Sequence, residues 1–110
     1  MKEIEFLGTS KRELRKFPEQ AKRVAGFELR RVQRGEEPED TKPMSTIGPG
    51  VQELRVWVSE GSFRVIYFAR LSDAIYVLHV FQKKTQTTAQ RDIDLARTRY
   101  STLMKEGLQR

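Results

Sequence analysis

The chain contains no cysteine, so disulfides, thiolate nucleophiles and cysteine-ligated zinc lie outside its chemistry. Its one histidine, His79, excludes a histidine-rich metal centre as well. Long apolar runs are also missing. The richest stretch, Phe63 to Phe81, is interrupted by Arg64, Arg70, Ser72 and Asp73, whereas a membrane helix needs about 20 successive apolar residues. The opening Met1-Lys2-Glu3-Ile4-Glu5 carries acids and no apolar core, which argues against a secretory signal. There is no glycine-rich phosphate loop, no His-Glu-x-x-His and no Ser/His/Asp set. These absences lead to the expectation of a soluble, cytoplasmic domain without metal or cofactor, held together by packing.

What is present is enough for one core. A chain of 110 residues, 37% of them hydrophobic, is the size of a single domain spanning residues 1–110. Twenty-one Lys and Arg stand against fifteen Asp and Glu, a net charge of +6. Such a surplus favours a polyanionic partner, because each neutralised phosphate releases counterions.

The hydrophobic period changes once along the chain. Ile4-Glu5-Phe6-Leu7 reads as an opening strand. Ser10 followed by Glu13 has the spacing of a capping box and predicts a first short helix. Pro18 starts a second helix, in which Ala21, Val24, Ala25, Leu29 and Val32 form an apolar stripe that Gly35 ends. Gly35 to Pro43 is polar, holds two prolines and reads as a loop that continues through Gly48-Pro49-Gly50. Val51 to Val58 then alternates, with Leu54, Val56 and Val58 on one face and Glu53, Arg55 and Trp57 on the other. Phe63 to Ala69 and the nearly all-apolar Ile75 to Gln82 predict two further strands, joined through Ser72-Asp73-Ala74. Glu60-Gly61-Ser62 predicts the preceding hairpin connection. A last helix is expected from about Ala89 to Glu106, closed by Gly107. The order β-α-α-β-β-β-α predicts an α+β fold, a small antiparallel sheet with helices packed on one face.

Cations inside strands are the informative residues, since a strand interior does not tolerate an unpaired charge. Arg55 lies between Leu54 and Val56, Arg64 between Phe63 and Val65, and Lys83-Lys84 follows Phe81-Gln82. Lys42 stands in the long loop. Neighbouring strands would gather these cations in one groove, with Phe81 as an apolar platform. Each also has a plainer reading: Arg55 paired with Glu53, Arg64 guarding a sheet edge, and the lysines simply solvated. His79, on the face of Val77 and Phe81, suits a hydrogen-bonded core histidine, and Trp57 and Tyr67 suit packing better than base stacking. Catalysis from this set rests on Arg and Lys as donors to a phosphorane-like transition state. A lysine acts as acid or base there only if neighbouring charge and burial lower its pKa.

Several segments together resemble the RelE/HigB toxin superfamily, in particular its phage-derived branch. They are Lys42-Pro43, Gly48-Pro49-Gly50-Val51-Gln52-Glu53-Leu54-Arg55, Phe63-Arg64-Val65-Ile66-Tyr67, Ile75-Tyr76-Val77-Leu78-His79-Val80-Phe81-Gln82-Lys83-Lys84-Thr85 and Asp92-Ile93-Asp94-Leu95-Ala96-Arg97. The likeness runs in order over nearly the whole chain and implies a RelE/ParE-like fold. It implies a type II toxin that cleaves mRNA on the ribosome without metal and is neutralised by a cognate antitoxin, a helix-turn-helix DNA-binding protein. Arg64 would be the strand arginine that stabilises the scissile phosphate, so that Arg64→Ala removes toxicity and leaves the fold intact. Lys83 or Lys84 would stand where relatives place an acid or base, with Arg55 and Lys42 on RNA phosphates and Phe81 orienting a base. Several relatives use a C-terminal tyrosine or histidine. This chain has Tyr100 and no histidine in its final helix, which leaves the general acid open. The same fold carries ParE-like gyrase inhibitors, so a non-catalytic gyrase binder and a plain nucleic-acid-binding domain stand as alternatives.

Overall fold

The computed structural model describes residues 1–71 and 73–108, with 107 and 108 as backbone only. Ser72, in the expected connection between the second and third long strands, lies outside the described residues. In chain order the elements are β1 (Glu3–Phe6), α1 (Ser10–Arg15), α2 (Glu19–Gln33), β2 (Thr41–Pro43), β3 (Val51–Val58), β4 (Gly61–Phe68), β5 (Ala74–Lys83) and α3 (Gln90–Leu108). The α+β expectation holds. The strands form one five-stranded sheet in the order β1-β5-β4-β3-β2. Its pairings are antiparallel except that of β1 with β5, which is parallel.

Local chemistry accounts for most of these boundaries. Pro18 precedes α2 with φ −54°, and its carbonyl accepts the Lys22 N–H at 3.0 Å. Ala21, Ala25, Leu29 and Val32 are the buried stripe of α2, and Gly35 leaves the helix at φ +79°, a conformation open to glycine. The register Val58↔Gly61 reduces the first hairpin connection to Ser59-Glu60. Two local expectations fail. Ser10 does not cap α1: it is the helix's first residue, is fully buried, and donates its hydroxyl to the Val77 carbonyl at 3.3 Å. Gly107 does not end α3, which continues to Leu108. β2 is the strand that a polar, proline-containing segment conceals. It is three residues long and stands at the sheet edge, where a proline is tolerated.

The helices do not share one face. α2 packs with Phe17 on Leu54, Val56, Phe63, Val65, Tyr67, Ile75 and Val77. Ala96 and Leu103 of α3 pack on the opposite face, against Val51, Ile66, Phe68, Tyr76 and Leu78. The reason is in β4 and β5, whose successive residues are buried on both sides and therefore need cover on both sides. Polar contacts fix α3 there. Arg99 Nη1 donates to the Leu78 carbonyl at 2.8 Å, and Tyr100 Oη donates to the Pro49 carbonyl at 3.1 Å. Gly48 lets this happen, because a Cβ at that position would run into the Tyr100 ring.

A bulge corrects the expected alternation of β5. Ile66 pairs with His79 and Tyr67 with Val77, which leaves Leu78 as the extra residue. Val77 therefore faces α2, whereas His79 shares its face with Phe81 and Lys83. Truncation of Leu54, which is 0% exposed in the α2-facing core, is expected to lower stability by about 2–5 kcal/mol. Urea unfolding should show this as a shifted midpoint with an unchanged slope, and a loss below about 1 kcal/mol would contradict this packing.

Candidate functional site

Register alone collects the singled-out residues on the face that α3 only partly covers. Three rows cross the sheet there. Lys42, Glu53, Ile66 and His79 make the first, Arg55, Arg64 and Phe81 the second, and Trp57, Ser62 and Lys83 the third. Lys42, Arg55, Arg64, Phe81 and Lys83 thus stand on one face. Lys84 lies just past the end of β5. It shares a small cavity of about 120 Å³ with Lys83, and alone of the two also lines a larger groove of about 540 Å³ between α1, β5 and the start of α3.

Arg64 is not at the surface. Its side chain is 2% exposed, with Nε 3.5 Å from Glu53 Oε1, and Glu53 is equally buried. Nη1 donates to Ser62 Oγ and to the Phe63 carbonyl. Trp57 lies over the guanidinium at 4.8 Å. Burial pulls the Arg64 pKa below its ordinary value, and the Glu53 charge opposes that shift. The expectation that this guanidinium serves a phosphate rather than the core is corrected accordingly: it belongs to an interior ion pair. Its removal strands Glu53, whose Oε2 already lacks a hydrogen-bond partner.

Arg55 does not pair with Glu53. It donates to Asp40 Oδ1 at 3.0 Å, and the Trp57 indole donates to Asp40 Oδ2 at 2.7 Å. One carboxylate from the end of the polar loop thus holds both side chains. The indole, then Arg55, keep the Asp40 carboxyl below its usual range, against the opposing effect of burial. Trp57 is 60% exposed, so it is not the packing residue expected, whereas Tyr67 is buried, its hydroxyl pKa pushed up to about 12 mainly by desolvation. His79 does match its expectation as a bonded core residue, with Nε2 2.7 Å from Asp92 Oδ1 and its ring stacked on Phe81 at 5.2 Å. Lys42, Lys83, Lys84 and Arg91 make no ion pair among the described residues. Nor do three or more His, Asp or Glu side chains converge among them as a metal set would. No helix among the described residues is long and apolar enough to cross a membrane.

Sequence reasoning missed Asp40, Asp92 and Arg91. Asp40 is one of four acids in a loop, with nothing in the sequence to show that it meets Arg55 and Trp57, 15 and 17 residues later. Arg91 reaches the groove only because the chain turns back after Lys84.

The fold is an α+β domain compatible with a RelE-like one, and the sheet face that α3 partly covers carries cations and an aromatic ring. A family model described as "Phage derived protein Gp49-like (DUF891)" matches residues 12–101. The chain belongs to this family, which is phage-derived, toxin-like and related to the RelE/HigB type II toxins. Toxin-like proteins of this kind generally pair with an antitoxin. No curated protein matches the chain.

Two outcomes follow from the geometry. Arg64→Ala should cost about 3–5 kcal/mol of stability by leaving Glu53 buried and unpaired. Arg55→Ala, whose ion pair is one-third exposed, should cost about 1 kcal/mol or less. Denaturant midpoints compare the two, and equal losses would refute the distinction. Trp57 is the only tryptophan and reports on Asp40 directly. Because the folded pKa of Asp40 is lowered, its contribution is complete above the ordinary Asp value and is lost as pH falls through the lowered one. Trp57 emission should change in that acidic window, and Asp40→Asn should abolish the change. A titration identical in Asp40→Asn would mean that another group controls the indole.

Proposed function

We propose that this protein is the toxin of a type II toxin–antitoxin module, an mRNA endonuclease that acts on the ribosome and arrests translation. The reading is supported by one observation above others: Lys42, Arg55 and Lys83 stand on the same sheet face as Phe81, in a chain of a toxin-like family. Its partners are mRNA, the ribosome and a cognate antitoxin of helix-turn-helix type, and it needs no cofactor. In the proposed reaction the RNA 2′-hydroxyl attacks the adjacent phosphorus as the bond to the 5′-oxygen breaks. The products are a 2′,3′-cyclic phosphate and a 5′-hydroxyl. One proton leaves the 2′-oxygen and one reaches the 5′-oxygen. Lys83 or Lys84 carries a proton, Arg55 and Lys42 hold RNA phosphates, and Phe81 orients a base. In this reading Arg64, buried against Glu53, is a positioning residue rather than a catalytic one. Its charge lies beneath Trp57, and a phosphate reaches it directly only when that ring is displaced.

Induced expression should stop translation and leave transcripts with cyclic phosphate ends. Arrest through DNA damage with intact transcripts would favour a ParE-like gyrase inhibitor, and unaffected growth a simple nucleic-acid-binding domain. Exchange of the lysines then separates charge from proton transfer. Arg keeps the charge but does not release a proton near neutrality. Lys83→Arg should cut programmed ribosomes at least about a hundredfold more slowly, within the range for general acid–base catalysis, while Lys84→Arg retains most of the rate. Near-wild-type cleavage by both variants would remove proton transfer from this pair.

A further inference from the structure

β1 accompanies β5 only from Ala74 to Val77. Beyond the bulge, His79 to Lys83 pair with β4 alone, and among the described residues no other strand borders their outer edge. α1 stands on one side of this open edge and the first turn of α3 on the other, with the groove of about 540 Å³ between them. A single phosphate would leave most of such a volume empty. Two of its acids are already engaged: Glu13 pairs with Lys16 at 3.4 Å and Asp92 with His79 at 2.7 Å. Lys84 and Arg91, which also line the groove, are exposed and make no ion pair among the described residues. Phe81 borders both this groove and the cationic sheet face, since it is the cross-strand partner of Arg64. Its ring lies nearly parallel to His79, at 22°, and His79 is itself 6% exposed and held by Asp92. The aromatic platform is therefore fixed from behind before any ligand arrives, which lowers the ordering cost of binding.

We propose that this groove is a nucleotide subsite for single-stranded RNA, in which Arg91 and Lys84 hold a phosphate and Phe81 carries the adjoining base. Free cations beside a fixed aromatic ring are what a sequence-tolerant single-strand site requires. Phe17, Phe63 and Leu95 in the groove would also suit a protein strand, but such a strand has no use for the two unpaired cations. The subsite deepens the proposed endonuclease reading and rests on it. It adds Arg91 as a substrate-positioning residue and lets the RNA run from Arg55 across Phe81 to the start of α3.

The test uses the full chain and a fluorescently labelled RNA hexamer, 2′-O-methylated throughout so that it is not cut. Affinity is measured over a series of salt concentrations. Arg91→Gln should weaken binding about tenfold at low salt and reduce the slope of log K against log salt by about 0.7, one phosphate of a single strand. Arg91→Lys should keep the slope. Phe81→Leu should weaken binding about tenfold without changing the slope, as expected for a lost stack. Arg23→Gln, an exposed cation of α2 away from the groove, should change neither. The proposal falls if Arg91→Gln behaves like Arg23→Gln, if the wild type binds no hexamer, or if Arg91→Gln weakens only capture of the antitoxin. Because the hexamer cannot be cut, its binding is independent of cleavage. Cleavage on ribosomes with unchanged Arg91→Gln binding would sink the subsite and leave the endonuclease reading in place. Hexamer binding through Arg91 by a protein that cuts no ribosomal mRNA would do the reverse.

Discussion

Arg55 and Arg64 are directly opposite one another on β3 and β4, and like charges so placed repel across the ladder. The rest of the exposed half of the sheet is arranged around that repulsion. Each arginine has its own carboxylate: Glu53, on the neighbouring strand β3 and the same sheet face, for Arg64, and Asp40, from the preceding loop, for Arg55. The two solutions differ in depth. The inner pair is buried and contributes chiefly by not being broken, whereas the outer one is partly wet and weak. Trp57 joins them, since its ring covers Arg64 while its N–H bonds Asp40.

That arrangement decides which cations are available to a ligand. Arg64 is committed to Glu53 and Arg55 to Asp40, so a phosphate arriving here competes with carboxylates already in place. Lys42, Lys83, Lys84 and Arg91 face no such competition among the described residues. They flank the committed pair on both sides, and Phe81 lies between the pair and the groove. An RNA strand bound as proposed would meet open charge at the margins of this surface and internally neutralised charge at its centre. The mechanism proposed above places proton transfer at such a margin, on the lysine pair.

The bulge at Leu78 links the fold to this surface. By adding one residue to β5, it lets Leu78 fill the core under α3 while His79, Phe81 and Lys83 all fall on the cationic face. An unbroken alternation from Val77 would have kept His79 on the α2 side, away from Asp92. The His79–Asp92 contact in turn fixes the first turn of α3, and so one wall of the groove.

By itself the sequence determined the elements. The α2 stripe from Ala21 to Val32, the β3 alternation and the apolar β5 run carry their own periods, which are local properties of the chain. It also determined that Phe81 and Lys83 share a strand face, because residues two apart along a strand point the same way. Only the tertiary structure decided the rest. Burial of Arg64 depends on Glu53 and Trp57 arriving together, and the partner of Arg55 comes from a loop whose acids look alike in sequence. β2 is too short and too polar to announce itself, and its pairing with β3 is what places Lys42 beside Glu53. Nothing in a one-dimensional pattern marks a bulge, assigns α3 to the face opposite α2, or brings Arg91 back to Lys84. Those are long-range outcomes of covering both sides of one sheet, and that requirement exists only once the strands have paired.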